Sequence, residues 1–232
     1  MFVPRFLAAL LLFQASLADA ADFKASLAEM PVYAESHDQG VLVDFVKALS
    51  EVSKRTIDYD VVPFARSMTY VERGNVDFHL PLILPPDISA APFSVSTETI
   101  FHVNFVLYTR TDRPLDPARL SGKVIETDTA HTPYFPFSIN ASSSVEGSLR
   151  KLLAGRIDGF IFADNATDPV IKRAGLKGIR RQLYRRFDVK IVLPKGGTGG
   201  PTDQFLTQTI KKMRETGQFQ KIMGRIDLPY VN

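Results

Sequence analysis

Apolar and polar residues alternate from Phe23 to Ala28, which is the period of a half-buried strand. Glu29 to Tyr33 breaks that period as an irregular segment. Val41, Leu42, Phe45, Val46, Leu49 and Val52 then recur at helical spacing, predicting an amphipathic helix over 41–55. Ile57 to Val62 reads as a strand stopped by Pro63. Ala65 to Arg73 reads as a short helix ended by Gly74, a residue suited to the left-handed position past a helix. Val76 to Leu84 is apolar and leads into Pro85-Pro86, and Phe101 to Thr109 is another apolar strand. Strand and helix in alternation predict an α/β architecture with a largely parallel sheet.

Thr111 to Pro117 is rich in turn formers, and beyond it a similar order begins again. Lys123 to Glu126 reads as a strand and Asp128 to Pro136 as a loop able to hold a ligand. Ser143 to Glu146 has capping-box spacing ahead of a helix that runs through Leu149, Leu152 and Leu153 to Gly155. Gly159–Ala163 and Asp188–Leu193 read as strands. Pro194 to Gly197 breaks the chain, and helices over 203–214 and 218–223 finish it. Gly74-Asn75-Val76-Asp77 is echoed by Gly155-Arg156-Ile157-Asp158. A helix ending on glycine and re-entering a strand through an aspartate, twice, points to two lobes of like construction. So short a pattern also arises at unrelated α/β junctions.

The N-terminus carries different information. Arg5, the apolar run Phe6–Phe13 and Ala18-Asp19-Ala20 form the three parts of a secretory signal peptide over 1–20. That run is too short for a helix crossing about 30 Å of hydrocarbon. With no cysteine in the chain, disulfides, thiolate metal sites, lipidation at an N-terminal cysteine and cysteine nucleophiles are excluded. Net charge is only +3. Some of the excess is local, at Arg180, Arg181, Arg185 and Arg186, and reads as an exposed strand edge or a docking face rather than a nucleic-acid surface. The four histidines lack metal-binding spacing. No phosphate loop, G-x-S-x-G elbow or dinucleotide fingerprint is present.

Several pieces in order resemble family 3 of the bacterial extracellular solute-binding proteins. They are Pro31-Val32-Tyr33, GVLVDFVKAL over 40–49, Pro63-Phe64-Ala65-Arg66, both G-x-[VI]-D junctions, Phe93-Ser94, and Leu120-Ser121-Gly122-Lys123-Val124. The resemblance implies a type II periplasmic-binding-protein-like α/β fold of two lobes, each a mixed sheet flanked by helices, joined by two hinge crossings. The implied boundaries are 21–107 for the first part of lobe 1, 108–193 for lobe 2, and 194–232 for helices returning to lobe 1. It implies a periplasmic monomer that captures a small polar solute, an amino acid or related molecule, by hinge closure and delivers it to the membrane permease of an ABC-type importer. No cofactor, metal, nucleic acid or catalysis is expected.

Candidate ligand residues follow. Tyr33 stands past the carboxyl end of the first strand, where open α/β sheets place ligands; its ring either covers the solute or packs its own loop. Phe64 is a ligand wall or a core residue. Arg66 offers a guanidinium fork to a carboxylate, or is a solvated helix charge. Thr129 and His131 lie in the loop that the resemblance places before a helix, and Ser94 lies ahead of the hinge. Asp164 matches the family's receptor for a ligand amino group, or caps a helix. The T-x-x-R clamp for an amino acid carboxylate, common in the family, is missing: Leu82 to Ile88 holds no arginine. Two other readings stay open, a sensor-linked or accessory ligand reader and a dehydratase-type enzyme on the same fold.

Overall fold

The computed structural model describes residues 21–231, so the expected signal peptide lies outside the described residues. The strands are β1 (Phe23–Ala28), β2 (Ile57–Val62), β3 (Phe78–Ile83), β4 (Phe93–Arg110), β5 (Ile125–Asp128), β6 (Asn140–Ser142), β7 (Gly159–Ala163) and β8 (Ile179–Pro194). The helices are α1 (Val41–Ser53), α2 (Phe64–Glu72), α3 (Val145–Leu153), α4 (Asp164–Arg173), α5 (Pro201–Glu215) and α6 (Gln218–Met223). None of the described helices is long and apolar enough to cross a membrane.

The strands form one sheet in the order β2-β1-β3-β8-β4-β7-β5-β6. Each half repeats a three-strand parallel unit, β2-β1-β3 in lobe 1 and β6-β5-β7 in lobe 2. Between them run the long antiparallel strands β4 and β8, paired from Phe93↔Pro194 to Arg110↔Ile179. These two strands pass through both lobes, and α5 and α6 return against α1 of lobe 1. One apolar core follows the sheet from Leu27, Phe45 and Phe78 through Phe101 and Phe105 to Ile125 and Ile161. Each fully buried large side chain in it contributes about 1.5–3 kcal/mol of transfer free energy.

β4 and β8 are longer than the apolar pattern predicts. Their extensions, Phe93–Ile100 and Ile179–Phe187, carry Ser94, Ser96, Glu98 and four arginines, because part of each lies against solvent rather than core. The 128–136 segment is not wholly loop: Thr129–Tyr134 forms a 3₁₀ turn whose first free amide, Ala130 N–H, donates to the Asp128 carboxylate at 3.0 Å. The capping box is half realised. Ser144 is the cap and its Oγ accepts from Gly147 N–H at 3.0 Å. Glu146, only two positions into the helix, pairs instead with Arg150 at 2.7 Å.

Candidate functional site

Tyr33 is held by the start of α1. Val41 N–H donates to Val32 O and Leu42 N–H to Tyr33 O, at 3.0 and 2.8 Å, so carbonyls of this loop cap the first helical amides. Gly40 permits the approach: a Cβ there would stand 2.4 Å from Tyr33 O. Val32 sits at φ 70°, a left-handed conformation that a β-branched residue adopts at a cost of about 1–3 kcal/mol. The Tyr33 ring stacks on Phe101 of β4 with centroids 5.5 Å apart.

Its hydroxyl reaches the other lobe. Asn165 Nδ2, in the first turn of α4, donates to Tyr33 Oη at 2.6 Å. Burial pushes the Tyr33 phenol above its ordinary pKa; the Asn165 hydrogen bond opposes this and the Asp164 charge adds to it. Asp164 Oδ1 accepts from Asn165 N–H at 2.8 Å, and Oδ2 accepts from Asn104 Nδ2 at 3.1 Å. Asn104, 4% exposed in the middle of β4, also donates to Leu228 O at 3.2 Å, while its Oδ1 has no partner among the described residues. A second polar contact joins the lobes where Tyr134 Oη donates to Ile83 O at 2.7 Å, and burial raises that phenol to about 12.

His131 lies in the 3₁₀ turn that follows β5. Its Nδ1 lies 3.0 Å from Asp128 Oδ1, and its ring packs against Phe105, Tyr134 and Phe162. Thr129 Oγ1 donates to Ser142 O at 3.1 Å, so its hydroxyl bonds within lobe 2. Ser94 Oγ accepts Gly196 N–H at 2.8 Å and ties the chain leaving β8 back to β4. Phe64 and Arg66 open α2, at the carboxyl end of β2. Phe64 is 43% exposed and meets His79 edge-on at 5.5 Å. Arg66 is exposed and has no charge partner among the described residues.

Tyr33 and Asp164 thus meet through Asn165 where the lobes face each other, while His131 packs against aromatic rings of β4 and lobe 2. Phe64 and Arg66 stand at neighbouring strand ends in lobe 1, while Thr129 and Ser94 serve local turns. Sequence reading passes over Asn104, Asn165 and Tyr134. The signal for Asn104 was legible, as the single amide in the apolar run FHVNFVLYT; Asn165 and Tyr134 are recognisable only once the lobes face each other. Two surface grooves, of about 580 and 330 Å³, lie elsewhere. Among the described residues no group of three or more His, Asp or Glu side chains is placed to hold a metal ion.

Solved structures with this architecture are numerous. The GluR0 ligand-binding core of Nostoc punctiforme, in complex with L-glutamate, superposes with a TM-score of 0.63 at 15% identity, covering 89% of this chain and all of that one. This is the two-lobed periplasmic-binding-protein fold. The arginine-, lysine-, histidine-binding protein ArtJ of Geobacillus stearothermophilus shares the fold at a TM-score of 0.61 and 13% identity, over 88% of this chain and 94% of that one. A histidine kinase sensor domain with similarity to periplasmic binding proteins does so at 0.62 and 14%, over the same shares. No protein-family profile matches the chain, and no curated protein sequence does. At these identities the likeness establishes the two-lobed fold, with its sheets and flanking helices, and leaves the ligand to the side chains.

Proposed function

We propose that this chain is an exported ligand-binding protein that closes its two lobes on a small polar solute. The observation that carries the proposal is the polar bridge from Tyr33 to Asn165, backed by Asp164 on the buried amide Asn104. It joins side chains of opposite lobes at the strand ends where this fold leaves room for ligand. Tyr33 and Phe64 supply aromatic walls, Asp164 receives a cationic group, and the uncompensated Arg66 receives an anionic one. A solute touching both lobes stabilises the closed arrangement by its differential affinity for it. In the leading form of this proposal the protein is a periplasmic monomer, brought there by the signal sequence, that presents its solute to an ABC-type permease. The neighbouring binding proteins support that form. A second form, a sensor-linked reader, is favoured by the sensor-domain neighbour and the missing T-x-x-R clamp.

A thermal-melt screen of the ligand-stripped protein against amino acids, polyamines, organic acids and sugars tests the proposal. A ligand at about 100 times its Kd adds about 2.7 kcal/mol, which raises Tm by roughly 5–11 °C for a chain of this size. Arg66→Ala and Asp164→Ala are each expected to weaken the hit at least tenfold; unchanged affinity in both overturns the site. With the ligand named, stimulation of a permease ATPase by loaded protein supports delivery, and a response through a signalling partner alone supports the sensor form.

A further inference from the structure

β8 changes neighbours part-way along its length. Its outer side pairs with β3 at Val192, Lys190 and Val189, and Leu84 N–H still donates to Asp188 O at 2.8 Å. From Phe187 back to Ile179 the strand has β4 on one side and, among the described residues, no strand on the other. Lobe 2 therefore ends in an open edge of nine residues, roughly 30 Å long at strand rise. A groove of about 580 Å³ follows this edge, lined by the five consecutive residues Ile179–Leu183 with Pro117 and Tyr230. None of these is a candidate residue of the interlobe site.

The two faces of the edge differ in chemistry. In the pairing register Arg180 lies opposite Thr109 and Arg185 opposite Phe105, on one face. Neither arginine has a carboxylate partner among the described residues. On the other face Ile179 and Tyr230 pack into one apolar cluster, and Leu183, opposite Val106, is 38% exposed. The cations of that face are already compensated, Arg181 by Asp168 at 2.6 Å and Arg186 by Asp227. From Pro169 to Phe187 the chain carries seven lysines and arginines and no carboxylate. Two buried polar atoms beside the groove, Arg181 Nε and Gln182 Oε1, have no hydrogen-bond partner among the described residues. Cations on an edge repel a second copy of the same edge. The same charge attracts an acidic strand.

We infer that the 179–187 edge of lobe 2 is a docking site for an extended segment of another protein in which acidic and apolar residues alternate. The segment adds a strand to β8. Its main chain takes up the N–H and C=O groups that no strand pairs, its carboxylates face Arg180 and Arg185, and its apolar side chains lie on Ile179 and Leu183. Tyr230, whose hydroxyl takes the Leu183 N–H, sits mid-way along the edge, and there the incoming strand must displace the C-terminal segment, which also meets Arg181 through Val231 O.

The test uses the purified chain and a fluorescent ten-residue peptide of alternating Glu and Val, followed by anisotropy. Three comparisons accompany it: a Lys/Val peptide, the Glu/Val peptide N-methylated at alternate residues, and the Arg180→Glu/Arg185→Glu variant, whose fold is checked by circular dichroism. Arg180→Glu alone serves if the double variant fails to fold. The expected result is binding of the Glu/Val peptide, weakened at least tenfold by N-methylation and at least tenfold by the charge reversals, with new hydrogen-exchange protection confined to 179–187. No binding of the Glu/Val peptide overturns the inference. Equal binding of the N-methylated peptide overturns it too, because charge alone would then account for the attraction.

Discussion

Lobe 1 and lobe 2 share a frame but fill it differently. At each re-entry an aspartate clamps the first strand of its unit from both sides. Asp77 N–H donates to Lys24 O while Asp77 Oδ2 accepts Lys24 N–H at 2.7 Å; Asp158 makes the same pair of bonds with Val124 at 2.8 Å. The preceding glycines, Gly74 and Gly155, both sit at φ 69°. Seven residues before each glycine a buried serine reaches toward the first strand. Ser67 meets Ser26 and His79, whereas Ser148 meets Glu126 and Ser142. After the clamp lobe 1 carries buried His79 where lobe 2 carries Phe160. The first crossovers differ most: lobe 1 buries the thirteen-residue α1, and lobe 2 makes do with the 3₁₀ turn that carries His131. Backbone re-entry is what the two lobes hold in common, while the side chains beneath it are free to differ.

Buried His79 should make stability fall in acid, an effect that Phe160, at the matching place in lobe 2, does not supply. Burial holds His79 at about 4, well below the ordinary 6.5, and its Nε2 has no partner among the described residues. Above pH 6.5 the imidazole is neutral in both folded and unfolded chains. As pH falls toward 4 the unfolded chain takes a proton that the folded one refuses. The stability present above 6.5 is therefore lost across that window, by up to about 3 kcal/mol. Denaturant melts from pH 7 to 4 should show this slope, and His79→Phe, which installs the lobe 2 residue, should flatten it. An unaltered slope in the variant would assign the effect to other groups.

A sharper and smaller test removes the clamps. Asp77→Ala and Asp158→Ala each delete a charged acceptor from a partly solvated main-chain amide, at an expected cost of about 1–2 kcal/mol. Equal losses by urea titration support a shared frame; a loss in one lobe alone denies it. The smallest effect belongs to the glycines. Gly74→Ala and Gly155→Ala each place a Cβ in the left-handed region, costing about 1 kcal/mol. A Cβ at Gly74 meets open space, while at Gly155 it approaches a movable arginine tip, Arg110 Nη1 at 3.2 Å. Matched losses of Tm are expected.

Where burial is periodic, the elements were legible. β1, β2, β7 and α6 have the limits read from the sequence: β2 and α6 each put one face on the core and one toward water, and β7 is a short apolar run buried on both faces. The outer halves of β4 and β8 escaped because hinge and edge residues carry no apolar period: Arg180 to Arg186 reads as a basic cluster until β4 pairs with it. In the candidate site, Tyr33 and Asp164 were accessible from their places after strands. Their connection through Asn165 and Asn104 was not, since it joins residues 132 and 60 positions apart.

The amino-acid order by itself determined the alternation of strand and helix, the doubled glycine–aspartate junction, and the local excess of positive charge. Those are properties of neighbours along the chain, set by side-chain period, by φ at glycine and by charge density. Tertiary structure alone decided that β4 and β8 thread both lobes, that Tyr33 faces Asn165 across the gap, and that the arginine cluster lines an unpaired edge. Each depends on which distant segments meet. That choice is made by the sum of burial over the whole sheet and has no signature in any one stretch of sequence.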